Sequence, residues 1–157
     1  MEQLCIFESE KKSGAQWKLY IDGASRNNPG SAGAGVVIYK NGELVQEAGY
    51  YLGKKTNNQA EYMALLIGLF LVKKIMHQDD ELTIVSDSQL LVRQLQGKYK
   101  VKNSELYKCF SLAKTLLNKV SCKVEHVLRD ENKKADAMAN RGVDTKHAVP
   151  EAFVQLL

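Results

Sequence analysis

Four carboxylates occupy positions from which they can act together. Asp22 closes an alternating segment, Trp17 to Asp22, just before Gly23. Asp87 follows a short apolar run, Leu82 to Ser86, and begins a turn. In open α/β sheets ligands gather outside the carboxyl ends of strands, so two acids at neighbouring strand ends lie close if those strands pair. Glu61 sits near the start of a helix, with Ala64, Leu65, Gly68 and Val72 on the same apolar side. A carboxylate on that face loses hydration unless something pairs it. Asp136 lies in the first turn of a last helix, beside Ala135, Ala137 and Ala139. Taken singly, Glu61 and Asp136 are accounted for by the helix dipole, which favours acids in a first turn. Taken together, the acids raise one another's pKa and need a cation to stay ionised. Oxygen-only ligands suit hard cations such as Mg²⁺ or Mn²⁺, and a two-ion site implies phosphodiester hydrolysis by in-line attack.

Other chemistries fit less well. Gly23 to Gly35 holds four glycines, yet it joins two strands and lacks G-x-x-x-x-G-K-[ST], so a tight hairpin turn at Asn28-Pro29-Gly30 is expected. Cys122 and His126 share a strand face, but two ligands do not make a zinc site, and both are expected to be packing or surface residues. The three cysteines, Cys5, Cys109 and Cys122, cannot all pair and show no C-x-x-C spacing. That usage fits a reducing cytoplasm.

The elements that must position the acids follow from periodicity. Trp17–Asp22, Val36–Tyr39 and Leu44–Leu52 read as three antiparallel strands, the last two joined by the hairpin signal Asn41-Gly42. Thr56-Asn57-Asn58-Gln59 has the form of a capping box ahead of a long apolar helix, Ala60–Met76. A strand over Leu82–Ser86, a helix to about Gln96, a helix over Ser104–Lys119, a strand over Val120–Leu128 and a helix over Lys133–Arg141 complete the pattern. Strands alternating with helices imply right-handed crossovers and parallel pairing. The expected class is therefore α/β: a five-stranded mixed sheet, three strands antiparallel and two parallel, with helices on both faces.

The chain's 157 residues suit one domain, at a prior of about 150 residues per domain. Its longest apolar run, Met63–Val72, is too short to span a bilayer, which takes about 20 residues. The acidic N-terminus (Glu2, Glu8, Glu10) shows no export signal. A cytoplasmic monomer without membrane contact is expected. The net charge of +4 is unevenly spread: between Gly97 and Lys134 ten Lys/Arg face four acids, as a polyanion-binding surface or a solvated helix would require. The expected division is an extension over 1–15, a catalytic domain over 16–145 and a tail over 146–157, whose Phe153, Val154, Leu156 and Leu157 pack back on the sheet or dimerise.

Four segments, Tyr20-Ile21-Asp22-Gly23-Ala24-Ser25 with Asn28-Pro29-Gly30, Thr56 to Glu61, Val85-Ser86-Asp87-Ser88-Gln89, and Glu131 to Asp136, resemble type 1 ribonuclease H in order and element type. The resemblance spans about Trp17 to Asp144 and implies the ribonuclease H-like fold. It implies an endoribonuclease that hydrolyses the RNA strand of RNA–DNA hybrids and leaves 5′-phosphate and 3′-hydroxyl ends. It puts Asp22, Glu61, Asp87 and Asp136 in the catalytic role, holding two Mg²⁺ ions for which Mn²⁺ substitutes: one ion for the attacking water, the other for the leaving 3′ oxygen. It further implies RNA-strand reading by Ser25, Asn28, Asn58 and Gln89, where the 2′-hydroxyl marks RNA. The DNA-strand phosphate falls to Lys54, Thr56, Asn57 and Asn103.

The chain departs from the family in two places. Only Gly97-Lys98-Tyr99-Lys100-Val101-Lys102 stands where many members carry a long basic protrusion, so hybrid affinity should be more salt-sensitive. Val127 to Asn132 is short and lacks the histidine many members place before the last acid; Arg129 is the expected electrostatic stand-in, while His126 lies in the strand and should point elsewhere. A hybrid-binding module of the same fold with weak catalysis, and the ribonuclease H domain of a reverse transcriptase, are the alternatives. Met1 and the short tail after Asp144 favour a stand-alone protein.

Overall fold

A computed structural model describes residues 14–157. The expected extension and Cys5 lie outside the described residues, except for Gly14 and Ala15. Strand β1 (Gln16–Ser25) pairs antiparallel with β2 (Gly30–Lys40), which pairs antiparallel with β3 (Glu43–Lys55). Helix α1 (Asn57–Lys73) crosses over to β4 (Glu81–Ser86), parallel to β1. Helices α2 (Gln89–Leu95) and α3 (Ser104–Leu117) lead to β5 (Ser121–His126), parallel to β4. A 3₁₀ turn (Arg129–Glu131), α4 (Lys133–Thr145) and the one-turn α5 (Glu151–Val154) end the chain. The sheet order is β3-β2-β1-β4-β5, the mixed sheet expected.

Local rules explain several boundaries. Asn41 and Gly42 both take positive φ, 50° and 83°, which the two-residue β2–β3 turn demands. Thr56 Oγ1 accepts from the Gln59 N–H at 3.1 Å and Gln59 Oε1 accepts from the Thr56 N–H at 2.9 Å, closing the capping box. Helix α1 lays Ala64, Leu65 and Val72 against Leu19, Ile21, Ala34, Val36 and Ile38, all buried in one core.

The start of β2 differs from the sequence expectation. The strand begins at Gly30 rather than Val36, because Gly33 and Gly35 are strand residues under α4 and not part of a turn. A Cβ on either would overlap the carbonyl of Ala139 or Ala135, so the helix sits directly on bare backbone. Helix α4 extends four residues past Arg141 to end at Thr145. In the tail, Phe153 is fully buried and meets Phe70 of α1 edge-on at 5.6 Å, so it packs on a helix; Val154, Leu156 and Leu157 stay exposed.

Candidate active site

The sheet's two pairing modes bring the acids together. Ile21 and Ser86 are the last aligned pair of β1 and β4, so Asp22 and Asp87 follow side by side where that pairing stops, although β1 itself runs on to Ser25 and Asp22 is not its last residue, contrary to expectation. Helix α1 begins at Asn57, which moves Glu61 beyond the first turn and weakens the dipole account of it. Its position is set by β1: Gly23 donates its N–H to Glu61 Oε1 at 2.8 Å. A Cβ on Gly23 would overlap the Ala60 backbone, so only glycine lets the strand approach the helix this closely.

Oxygens of Asp22, Glu61 and Asp87 all lie within 4.8 Å of one another. Asp136, in the first turn of α4, lies outside that trio but close enough to Asp22 to help raise its carboxyl. Asp22 and Glu61 are buried, 6% and 8% exposed. Burial first, then the charges of Glu61 and Asp87, push the Asp22 carboxyl far above the usual range. Burial also raises Glu61, opposed by the Gly23 N–H and the positive charge of Arg129. Glu61 Oε2 is buried without a hydrogen-bond partner. An unpaired buried carboxylate oxygen facing two more carboxylates fits a divalent cation: all donors are hard oxygens, and the charge they share is what a cation neutralises.

A groove of about 520 Å³ runs over the start of α1, the helix that carries Glu61. It gathers Asn28, Thr56, Asn57, Asn58 and Asn103 from both predicted substrate sets. Asn28 Oδ1 accepts from the Asn57 N–H at 2.9 Å, and the Ser25 N–H donates to Asn57 Oδ1 at 3.2 Å, so the β1–β2 turn is stitched to the helix start. Ser25 Oγ donates to the Lys55 carbonyl at 2.7 Å. Asn103 caps α3, its Oδ1 accepting from Glu105 and Leu106. Lys54 and Gln89 are not among the groove residues: Lys54 is exposed on β3, and Gln89 opens α2 two residues after Asp87.

Sequence reasoning missed three neighbours. His126 does not point away: its Nε2 lies 3.3 Å from the Asp87 carbonyl oxygen. Glu105 lines the groove and accepts from Gln59 Nε2. Asn132 is buried, 1% exposed, and donates from Nδ2 to the Ile21 carbonyl at 2.9 Å. Only the segment just ahead of a helix hinted at Asn132, since its partner is 111 residues away.

Comparison with known proteins places this geometry. The family described as Reverse transcriptase-like matches residues 20–142. Ribonuclease HI of Halobacterium salinarum is 39% identical over 133 residues, covering 83% of this chain and 66% of that protein. Ribonuclease H of Pseudomonas putida is 32% identical over 148 residues, covering 83% of this chain and 95% of that protein. A bifunctional protein of Mycobacterium tuberculosis is 36% identical over 129 residues, and there the chain spans 35% of the relative's length. Among solved structures, RNase H1 of Halobacterium salinarum superposes with a TM-score of 0.78 at 36% identity, covering 83% of this chain and 98% of that one. LC11-RNase H1 in complex with an RNA/DNA hybrid gives 0.77 at 35% identity, covering 82% and 97%.

Proposed function

The chain belongs to the type 1 ribonuclease H family, and from that premise we propose that it is an endoribonuclease cutting the RNA strand of RNA–DNA hybrids. The observation that carries the reading is the meeting of Asp22, Glu61 and Asp87 within 4.8 Å, with Asp136 close enough to help raise Asp22, and with a groove lined by amide side chains at the start of the helix that carries Glu61. Hydrolysis of the phosphodiester would leave 5′-phosphate and 3′-hydroxyl ends.

Asp22, Glu61, Asp87 and Asp136 are the residues that would hold two divalent cations, Mg²⁺ with Mn²⁺ as substitute. Bound there, the ions supply activation of the attacking water and stabilisation of the leaving 3′ oxygen. The chain's own part is positioning and charge. The Gly23 N–H keeps Glu61 Oε1 engaged and leaves Oε2 for ligation. Ser25, Asn28, Asn58 and Gln89 read the RNA strand, and the hydrogen bonds tying the β1–β2 turn to α1 hold Ser25 and Asn28 in place. Thr56, Asn57, Asn103 and Lys54 receive the DNA phosphate, with the start of α1 favouring an anion. Because Asn103 Oδ1 is engaged in capping α3, its Nδ2 hydrogens are the donors for that phosphate. Arg129, whose charge already lowers Glu61, steadies the ionised acids.

Residues 16–145 form the catalytic unit in this reading, with 1–15 an extension and 146–157 a tail. The protein works as a monomer in the cytoplasm. Cys109 and Cys122 are free thiols, as a reducing compartment favours.

The test is cleavage of a labelled RNA–DNA hybrid in Mg²⁺ and in Mn²⁺, beside duplex RNA, duplex DNA and Asp22→Asn. RNA-strand cutting confined to the hybrid and abolished in Asp22→Asn is expected. Tight hybrid binding without cutting in either metal would overturn the proposal in favour of a binding module.

A further inference from the structure

Asn132 is the residue before α4, the helix that brings Asp136 to the site. Asparagine at this position ordinarily turns its side chain back to accept from its own helix's first N–H groups. Asn132 makes no such cap. Its Nδ2 instead crosses to the sheet and donates to the Ile21 carbonyl at 2.9 Å, a fully buried contact. Its backbone carbonyl accepts from the Asp136 N–H at 3.1 Å. The Ile21 carbonyl belongs to the peptide group that leads into Asp22. One residue therefore holds the Ile21 carbonyl, next to Asp22, with its side chain, while its main-chain carbonyl takes the first hydrogen bond of the helix that carries Asp136.

The remaining oxygen, Asn132 Oδ1, is buried and unpartnered. A residue kept only for helix stability would use that acceptor on the exposed N–H groups of α4. Its diversion spends the cap to set the distance between two carboxylates carried on elements far apart in sequence.

We propose that Asn132 is a positioning residue that fixes Asp136 against Asp22 so that the four acids share cations in one geometry. The inference rests on the proposed metal-dependent function and adds a residue outside the acids themselves. Groups of this kind, which orient metal ligands without touching the metal, typically change metal affinity or activity by about 10- to 100-fold when removed.

The experiment uses the full chain with Asn132→Leu, which deletes the donor and the orphan oxygen at similar volume, and Asn132→Asp, which keeps the shape but replaces the donor with an acceptor. Mn²⁺ binding is measured by calorimetry in the absence of nucleic acid, thermal unfolding in EDTA, and steady-state kinetics on the hybrid. Both variants should bind Mn²⁺ about tenfold or more weakly and lose kcat by a similar factor, while KM for the hybrid stays within about twofold. A variant that unfolds at a lower temperature yet binds Mn²⁺ and turns over like the parent, assayed well below its midpoint, overturns the proposal. If Asn132→Leu does not fold, Asn132→Asp decides by the same criteria. A parent that binds Mn²⁺ but does not cut would sink the nuclease reading alone, and weakened Mn²⁺ binding in the variants would still support the brace.

Discussion

Asp22→Asn should make the metal-free protein more stable near neutral pH, because it removes a buried carboxyl that must take up a proton to fold. The folded-state carboxyl of Asp22 lies far above its ordinary value of 3.8, through burial and then the charges of Glu61 and Asp87. A group whose folded pKa is raised binds more protons folded than unfolded, so its contribution is intact below the ordinary value and lost as pH rises towards the folded one. At pH 7.5 the gap from 3.8 sets a ceiling of about 5 kcal/mol, at about 1.36 kcal/mol per unit. Sharing of the proton with Glu61 and relaxation bring the expected gain to about 2–4 kcal/mol. Asparagine keeps the shape and can donate to Glu61 or Asp136, so no buried partner is stranded. The assay is urea unfolding in EDTA followed by fluorescence of Trp17, the single tryptophan, which is buried at the start of β1. The parent should lose stability steeply between pH 5 and 8, while Asp22→Asn loses less and keeps only the slope that the raised Glu61 carboxyl contributes up to about 7, and Mg²⁺ should restore the parent only. Equal or lower stability of Asp22→Asn at pH 8 in EDTA would refute the reasoning.

Arg129→Ala removes the one positive charge that lowers Glu61, so kcat should fall by about three- to tenfold with hybrid affinity little changed; turnover matching the parent would sink this role. Asp80 is a structural counterpart to the clustered acids. Burial alone would push its carboxyl up, yet donors from His77 N–H, Trp17 Nε1 and Ala15 N–H, at 2.8–2.9 Å, outweigh it and hold the group low. Its contribution is present above the ordinary value and lost as pH falls through the lowered one. Asp80→Ala should cost about 2–4 kcal/mol in urea unfolding at pH 7, with a red-shifted Trp17 emission and unchanged specific activity of the folded fraction. A loss under about 0.5 kcal/mol would show that the three donors find water instead.

What was legible in the sequence was legible because it is local. The capping box at Thr56 and Gln59 and the turn at Asn41-Gly42 need only neighbours along the chain, and both stand where the residues put them. The acids were readable from strand ends and helix starts, and three of them do converge within 4.8 Å. The glycines of β2 were misread because their reason is non-local: Gly33 and Gly35 give α4 a seat on the sheet, and nothing near them in sequence announces a helix a hundred residues later. The contacts of Asn132 and His126 were not legible for the same cause. Each meets a partner distant in sequence, the Ile21 carbonyl in β1 for one and the Asp87 carbonyl just past β4 for the other.

The placement of the unsatisfied atoms ties these threads together. Among the described residues two buried side-chain atoms lack any hydrogen-bond partner, Glu61 Oε2 and Asn132 Oδ1. Their side chains hold the residues on either side of Asp22: Glu61 takes the Gly23 N–H and Asn132 gives to the Ile21 carbonyl. A fold shaped by stability alone leaves such acceptors paired, since each orphan costs about 1–3 kcal/mol. Here both costs, and the repulsion among the acids, fall on the last turn of one strand and the two helices that flank it. Local rules are broken where a site needs them broken. The two orphans differ in what would satisfy them: under the proposed function Glu61 Oε2 is a ligand for a cation that the acids share, whereas Asn132 Oδ1 is the by-product of a donor aimed at the strand. Cation binding should therefore relieve the first and leave the second, so the stabilisation gained from Mg²⁺ should vanish in Glu61→Gln but persist, at higher metal concentration, in Asn132→Leu.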